Sequence, residues 1–298
     1  MTRTGERGRL NYYTFGDPRM PPLVLLMGLG LPAQGWPKGF LERLVQKGLY
    51  LIVPDNRDSG ASPVYDEHVS TAKLLASVVR YVLGGTVTAQ YRLQDMARDV
   101  EELLTHMGVK RAHIAGDSLG GMIAQVFAVR APHRTLSLTC ISTATGNPRT
   151  GLGNLSAVRA LLQKHPEGDD EQSLLKYYRS VMEVIGTKGA VYDDSFYEGI
   201  IRANIENGIT EECRSRQLMA ILASGDRRRE LRQLVMPALV IHGTADPLLP
   251  LRAGREVAEC IEGAQMLAIE GMGHDLPEER LDMITEAIAA HCYSRALR

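Results

Sequence analysis

Short, continuous apolar runs alternate along this chain with stretches whose apolar residues recur every three or four positions. The runs are 23–27 (LVLLM), 51–53, 113–115, 136–141, 238–242 (ALVIH) and 266–269 (MLAI). An unbroken apolar run, as opposed to an alternating one, predicts a strand covered on both faces. Leu93, Met96, Val100, Leu103, Leu104 and Met107 form one apolar helical face, and Gly108 supplies a stop. The alternation predicts an α/β fold, with a mostly parallel central sheet flanked by helices.

Residues 143–234 break the rhythm. Helix-like segments at 155–163, 171–185, 195–206 and 211–223 follow one another with few strand-like runs between them. This predicts a helical cap, 143–234, inserted into a core made of 1–142 and 235–298. Loops at its two ends, Gly146-Asn147-Pro148 and Gly225-Asp226, are candidate hinges. A smaller helical insert is expected at 71–83. The basic run DRRRELR at 226–232 reads as a solvated helix face.

Composition narrows the class without naming a chemistry. The 298 residues are 44% hydrophobic and 23% charged, ordinary values for a soluble globular protein. A net charge of -1 gives no reason to expect nucleic acid or an anionic membrane as partner. The N-terminus is polar and Arg-rich, unlike a secretory signal, and no run is long enough to span a bilayer, so a cytoplasmic location is expected. Cys140, Cys213, Cys260 and Cys292 are far apart and show no metal spacing, which suits free thiols. Nothing in the pattern bears on oligomeric state.

The chemistry is concentrated in HIAGDSLGGMIAQVFAV, residues 113–129. Ser118 stands between Gly116 and Gly120 where a strand-like run gives way to a helix-like one. G-x-S-x-G at that turn is the pattern of a nucleophile elbow. A serine hydroxyl needs a base, and the base needs a carboxylate to orient it. His274 follows the last strand-like run and precedes a C-terminal helix, so it falls on the same rim. Asp246 follows the run 238–242, giving the order Ser118, Asp246, His274. Asp275 is a rival acid, but sequence neighbours rarely orient each other's rings. His113 and His242 lie inside strand-like runs and read as structural.

An oxyanion site needs backbone N–H donors. Leu119, after the nucleophile, supplies one, and Leu29 in the loop after 23–27 is expected to supply the other, with Gly28 allowing close approach. Trp36, Met182 and Met219 are candidates for the substrate pocket. Asp117 stands directly before this serine. The expectation is that it faces the far side of the sheet; facing the pocket, it would raise the pKa of His274.

MGLG with Trp36-Pro37, DNRDSGAS at 55–62, GDSLGG, HGTADPLLP and GMGHDLP occur in one order over nearly the whole chain. In this the sequence resembles the α/β-hydrolase superfamily and, within it, bacterial esterase-like hydrolases akin to aclacinomycin methylesterase. The resemblance implies hydrolysis of a small-molecule carboxylic ester without metal or organic cofactor. It carries over Ser118, Asp246, His274, Leu29 and Leu119 at matching positions. Asp117 departs from the pattern, and residues 71–90 look longer than in compact members. Lactonase, C–C hydrolase, peptidase and acyltransferase chemistry use the same residues, and a non-catalytic ligand-binding protein of this fold is the reading from a different class.

Overall fold

A computed structural model describes residues 9–163, 166, 170–192 and 194–294. The first eight residues of the polar N-terminus and His165 lie outside the described residues.

Seven strands form one sheet: β1 (Tyr12–Phe15), β2 (Pro22–Leu26), β3 (Tyr50–Pro54), β4 (Ala112–Asp117), β5 (Thr135–Ile141), β6 (Ala238–Gly243) and β7 (Gln265–Ile269). Their order is β1-β3-β2-β4-β5-β6-β7. Only the β1–β3 pair is antiparallel; the other five pairs are parallel. Six of the strands coincide with the apolar runs. β1 is the addition, a four-residue edge strand whose burial is only partial.

The continuous runs have a direct cause. Leu25, Leu51, Val53, Ala115 and Ile241 pack against α1 (Lys38–Gln46) and α12 (Leu281–Tyr293) on one face. Val24, Leu26, Ile52, Ile114 and Val240 pack against α3 (Leu93–His106), α4 (Leu119–Arg130) and α11 (Leu251–Cys260) on the other. Neighbouring side chains on one strand point to opposite faces, and both faces are dry. All four cysteines are buried and free. Among the described residues no helix is long and apolar enough to cross a membrane.

Among the described residues between β5 and β6 there are six helices: α5 (Pro148–Gly151), α6 (Leu155–Leu161), α7 (Glu171–Ile185), α8 (Asp194–Glu206), α9 (Glu211–Ser224) and α10 (Arg228–Leu231). A separate helix, α2 (Thr71–Val82), packs against α9 through Leu74 and the side chains of Met219 and Leu222. The two ends of this insertion lie together. A Cβ on Gly146 would lie 2.0 Å from the carbonyl oxygen of Gly225, so the two end loops touch. Glu256 on α11 accepts from Thr145 Oγ1 (2.6 Å), Asn147 Nδ2 (2.7 Å) and Thr150 Oγ1 (2.7 Å). Arg227 is buried, contrary to a solvated basic run. Its guanidinium donates to Ala144 O (2.8 Å), Gly225 O (3.0 Å) and Gln125 Oε1 (3.2 Å). Burial pulls its pKa down to about 10, against the opposing charges of Asp226 and Glu230.

Helix α4 meets the sheet with no side chain between. A Cβ on Gly120 would lie 1.9 Å from the carbonyl oxygen of Leu26, and one on Gly116 would lie 2.2 Å from the carbonyl of Gly120. Gly120→Ala is therefore expected to destabilise the fold by about 3 kcal/mol or more, read as a drop in the urea midpoint. Gly108→Ala, at φ 69° with open space around it, is expected to cost about 1 kcal/mol. Equal midpoints for the two variants would refute the packing argument.

Candidate active site

The corner between β4 and α4 is Ser118, which is held at φ 51°, ψ -115°. Left-handed backbone at a residue with a side chain costs of order 1–3 kcal/mol and persists only where the surroundings enforce it. Here they do. Ser118 N–H donates to Ile141 O (2.9 Å), and Ser118 O accepts from Thr143 Oγ1 (2.7 Å). The hydroxyl is left at the rim of a cavity.

Loops after β6 and β7 bring two more side chains to it. His274 Nε2 lies 3.0 Å from Ser118 Oγ, and His274 Nδ1 lies 2.7 Å from Asp246 Oδ2. A carboxylate can only accept, so Nδ1–H donates to Asp246 and Nε2 is the acceptor facing the serine. The other oxygen of Asp246 accepts from the N–H groups of Leu248 and Leu249, both at 2.9 Å. His242, which is buried as expected, holds the same loop by donating to Leu249 O (2.7 Å). Burial would lower the pKa of His274, but the charge and hydrogen bond of Asp246, with Asp117 and Asp275 nearby, outweigh it and raise it above 6.5.

Asp275 is turned away from the ring of its neighbour. It accepts from Thr187 N (2.9 Å), Thr187 Oγ1 (2.6 Å) and Tyr192 OH. Thr187 Oγ1 also accepts from Gly273 N (2.8 Å), and His274 N donates to Ile185 O (2.8 Å). The segment after α7 thus clasps the histidine loop on both sides of His274.

Across the site, Leu29 lies in the loop after β2 and Leu119 opens α4; the first N–H groups of a helix have no intrahelical partner. The Leu29 loop is held from below and above. Asp55 Oδ1 accepts from Ala33 N (2.7 Å), and Asn56 Nδ2 donates to Met27 O (2.9 Å). From α9, Gln217 accepts from Gly30 N (2.7 Å) through Oε1 and donates to Arg57 O (2.7 Å) through Nε2. Next to it, Arg216 and Asp58 form a buried ion pair at 2.8 Å. Gln217 and Thr187 escaped the sequence reading, because their partners lie 187 and 86–88 residues away.

The cavity over Ser118 is lined largely by apolar and aromatic side chains, among them Leu31, Tyr178, Met182, Phe196 and Ile200. Gly28, Leu29 and Met182 reach it. Trp36 and Met219 do not. Trp36 is stacked on Phe40 at 5.0 Å within the α1 face of the core, and Met219 fills the contact between α9 and α2. Asp117 also departs from expectation, since it faces the cavity. Burial pushes its carboxyl up to about 7, against the opposing pull of His274.

The model of the family described as alpha/beta hydrolase fold matches residues 21–281. The chain belongs to that family. It is 30% identical over 93% of its length to rhodomycin D methylesterase DauP of a Streptomyces species, covering 92% of that protein. It is 25% identical to 3-oxoadipate enol-lactonase 2 of Acinetobacter baylyi, over 90% of this chain and 88% of that protein. Among solved structures, the esterase RhEst1 of a Rhodococcus species superposes with TM-score 0.71 at 19% identity, over 96% of this α/β hydrolase and 94% of that chain.

If Gln217 sets the height of the Leu29 loop, Gln217→Leu should slow phosphonylation of Ser118 by a fluorophosphonate about tenfold to a hundredfold. An unchanged rate in a variant that still folds would remove Gln217 from this role.

Proposed function

We propose that this α/β hydrolase is a serine carboxylesterase acting on small to medium-sized esters, methyl esters among them. The observation that carries the reading is the unbroken relay of hydrogen bonds from Ser118 Oγ through His274 to Asp246, at 3.0 and 2.7 Å. The two methylesterase relatives, each 30% identical, support the ester; the lactonase relative stands at 25%.

In this reading Ser118 Oγ attacks the ester carbonyl carbon while His274 Nε2 takes its proton. The carbonyl oxygen becomes an oxyanion facing the N–H groups of Leu29 and Leu119 at the positive end of α4. Collapse breaks the bond to the alcohol oxygen, and His274 returns the proton to that leaving group. Water, deprotonated by His274, then attacks the acyl-enzyme and releases the acid and Ser118. Asp246 stays ionised and holds the ring in the tautomer the cycle needs.

Residues 143–234 act in this proposal as a cap over the core formed by 1–142 and 235–298, with Met182 among the side chains that shape the pocket. The four free, buried thiols suit a reducing compartment such as the cytoplasm. The net charge of -1 suits a partner that is a small molecule and neither nucleic acid nor membrane.

The decisive experiment is an ester panel run on the wild type and on Ser118→Ala. Loss of turnover with an unchanged unfolding midpoint is expected; wild-type-like turnover in the variant would end the proposal. His274→Ala should cost about as much as Ser118→Ala, with no further loss in the double variant, because the residues act as a unit. Asp246→Asn should lower kcat by about 10⁴ through the wrong tautomer, whereas Asp275→Asn should be far milder.

A pH profile tests the electrostatics. The base must be neutral, so kcat/KM falls on the acid side as His274 gains its proton. With the pKa raised by the carboxylates around it, that limb should lie above pH 6.5. A limb below this value would contradict the arrangement.

A further inference from the structure

Three carboxyls surround His274, and their hydrogen bonding differs. Asp246 accepts two backbone N–H groups besides the imidazole, and Asp275 accepts two hydroxyls and one N–H. Asp117 receives no hydrogen bond from any described residue. It is half-buried and lines the cavity from the residue before Ser118, so its acceptor positions are open to what enters there. Its Oδ2 would lie 3.4 Å from a Cβ placed on Gly28, and the Cβ of Ser118 would lie 3.5 Å from the same point. The carboxyl therefore stands beside the attacking side chain, at the root of the Leu29 loop. The space over Gly28, which a side chain would narrow, is open to a substrate group.

We propose that Asp117 is a specificity-determining residue that binds a hydroxyl on the substrate within a few bonds of the scissile carbonyl. The proposal rests on Ser118 being the nucleophile of an esterase, and it names the substrate class as hydroxylated esters. A hydroxyl fits better than an ammonium. With its pKa near 7, the carboxyl exists in both states around neutral pH. A hydroxyl donates to the carboxylate and accepts from the carboxylic acid, so it is held in either state. An ammonium would require the ionised form and would bring a second charge into a largely apolar cavity. The same carboxyl, with Asp246 and Asp275 behind it, disfavours substrates that carry a carboxylate near the reacting bond.

The test uses matched methyl esters of one chain length: unsubstituted, 2-hydroxy, 3-hydroxy and 2-ammonio. The proteins are the wild type, Asp117→Asn, Asp117→Leu and Asp117→Ala, each checked for folding by thermal melting. The wild type should prefer one hydroxy ester over its unsubstituted partner by about tenfold to a hundredfold in kcat/KM, the range for a hydrogen bond to a charged group. That ratio should fall towards one in Asp117→Leu and Asp117→Ala, and should persist in part in Asp117→Asn, whose amide still accepts. Ratios near one for both hydroxy esters in the wild type would overturn the proposal. So would a ratio that survives in the leucine or alanine variant, or a preference for the ammonio ester. Fluorophosphonate labelling of wild-type Ser118 separates the two levels. Labelling with unselective turnover removes only the role of Asp117. No labelling and no turnover of any ester removes the esterase reading and this proposal with it.

Discussion

The site depends on the contact between the Cα of Gly120 and the carbonyl of Leu26. Because nothing larger than hydrogen fits there, helix α4 starts directly on the ends of β2 and β4. The chain can turn from β4 into α4 in that space only through a sharp corner, and Ser118 is the residue forced into it. The same contact fixes where β2 ends, and hence where the Met27–Leu31 loop leaves the sheet. One backbone approach thus places the Ser118 hydroxyl, the start of α4 and the loop after β2 together beside the cavity. The strain at φ 51° is maintained by packing, since relaxing it would mean prying α4 off the sheet.

The helices between β5 and β6 take part in this assembly more directly than a lid would. Ile185 and Thr187 accept from the N–H groups of His274 and Gly273, Thr187 also donates to the Asp275 carboxylate, and Gln217 holds Gly30. A rigid outward swing of the insertion would break its hydrogen bonds to the His274 loop and to Gly30 in the Met27–Leu31 loop. Its roots resist such a swing, because Glu256 and Arg227 tie both ends to buried parts of the core. The insertion lines the cavity and also holds the His274 loop and the Met27–Leu31 loop in place.

Sequence reading succeeded where a residue's role follows from its local pattern. The parallel strands were legible because burial on both faces leaves no polar position in the run. Ser118, Asp246 and His274 were singled out because each follows a strand, and in a parallel sheet all strand ends share one rim; the fold brings the three side chains within hydrogen-bond reach of one another. Reading failed where the partner is remote or direction matters. Gln217 is an ordinary polar residue on a helix until Gly30 is brought beside it. Trp36 and Met219 lie near informative segments, yet an apolar side chain next to a motif carries no sign of whether it faces the cavity or the core. Arg227 sat in a charged run whose other charged members are exposed or half-buried, and only the fold shows which arginine is turned inward. β1 was overlooked because its four residues, three of them only half-buried at a sheet edge, lack the continuous pattern of the others.

Asp117 illustrates how strand geometry and position combine. Alternation along β4 puts it on the same face as Ala115, which is packed in the core beneath α1 and α12. One pleat further on, the covering helices have ended and that face opens into the cavity. A side chain that would be buried among apolar groups in the middle of the strand is therefore presented to the substrate at its end. Its companions Asp246 and Asp275 have their acceptor positions filled by the protein, one to orient the imidazole and the other to pin the loop. Hydrogen-bond occupancy separates three carboxyls that charge alone would treat alike. The two that are saturated are committed to structure around His274, and the one left open is available to recognise what enters the site.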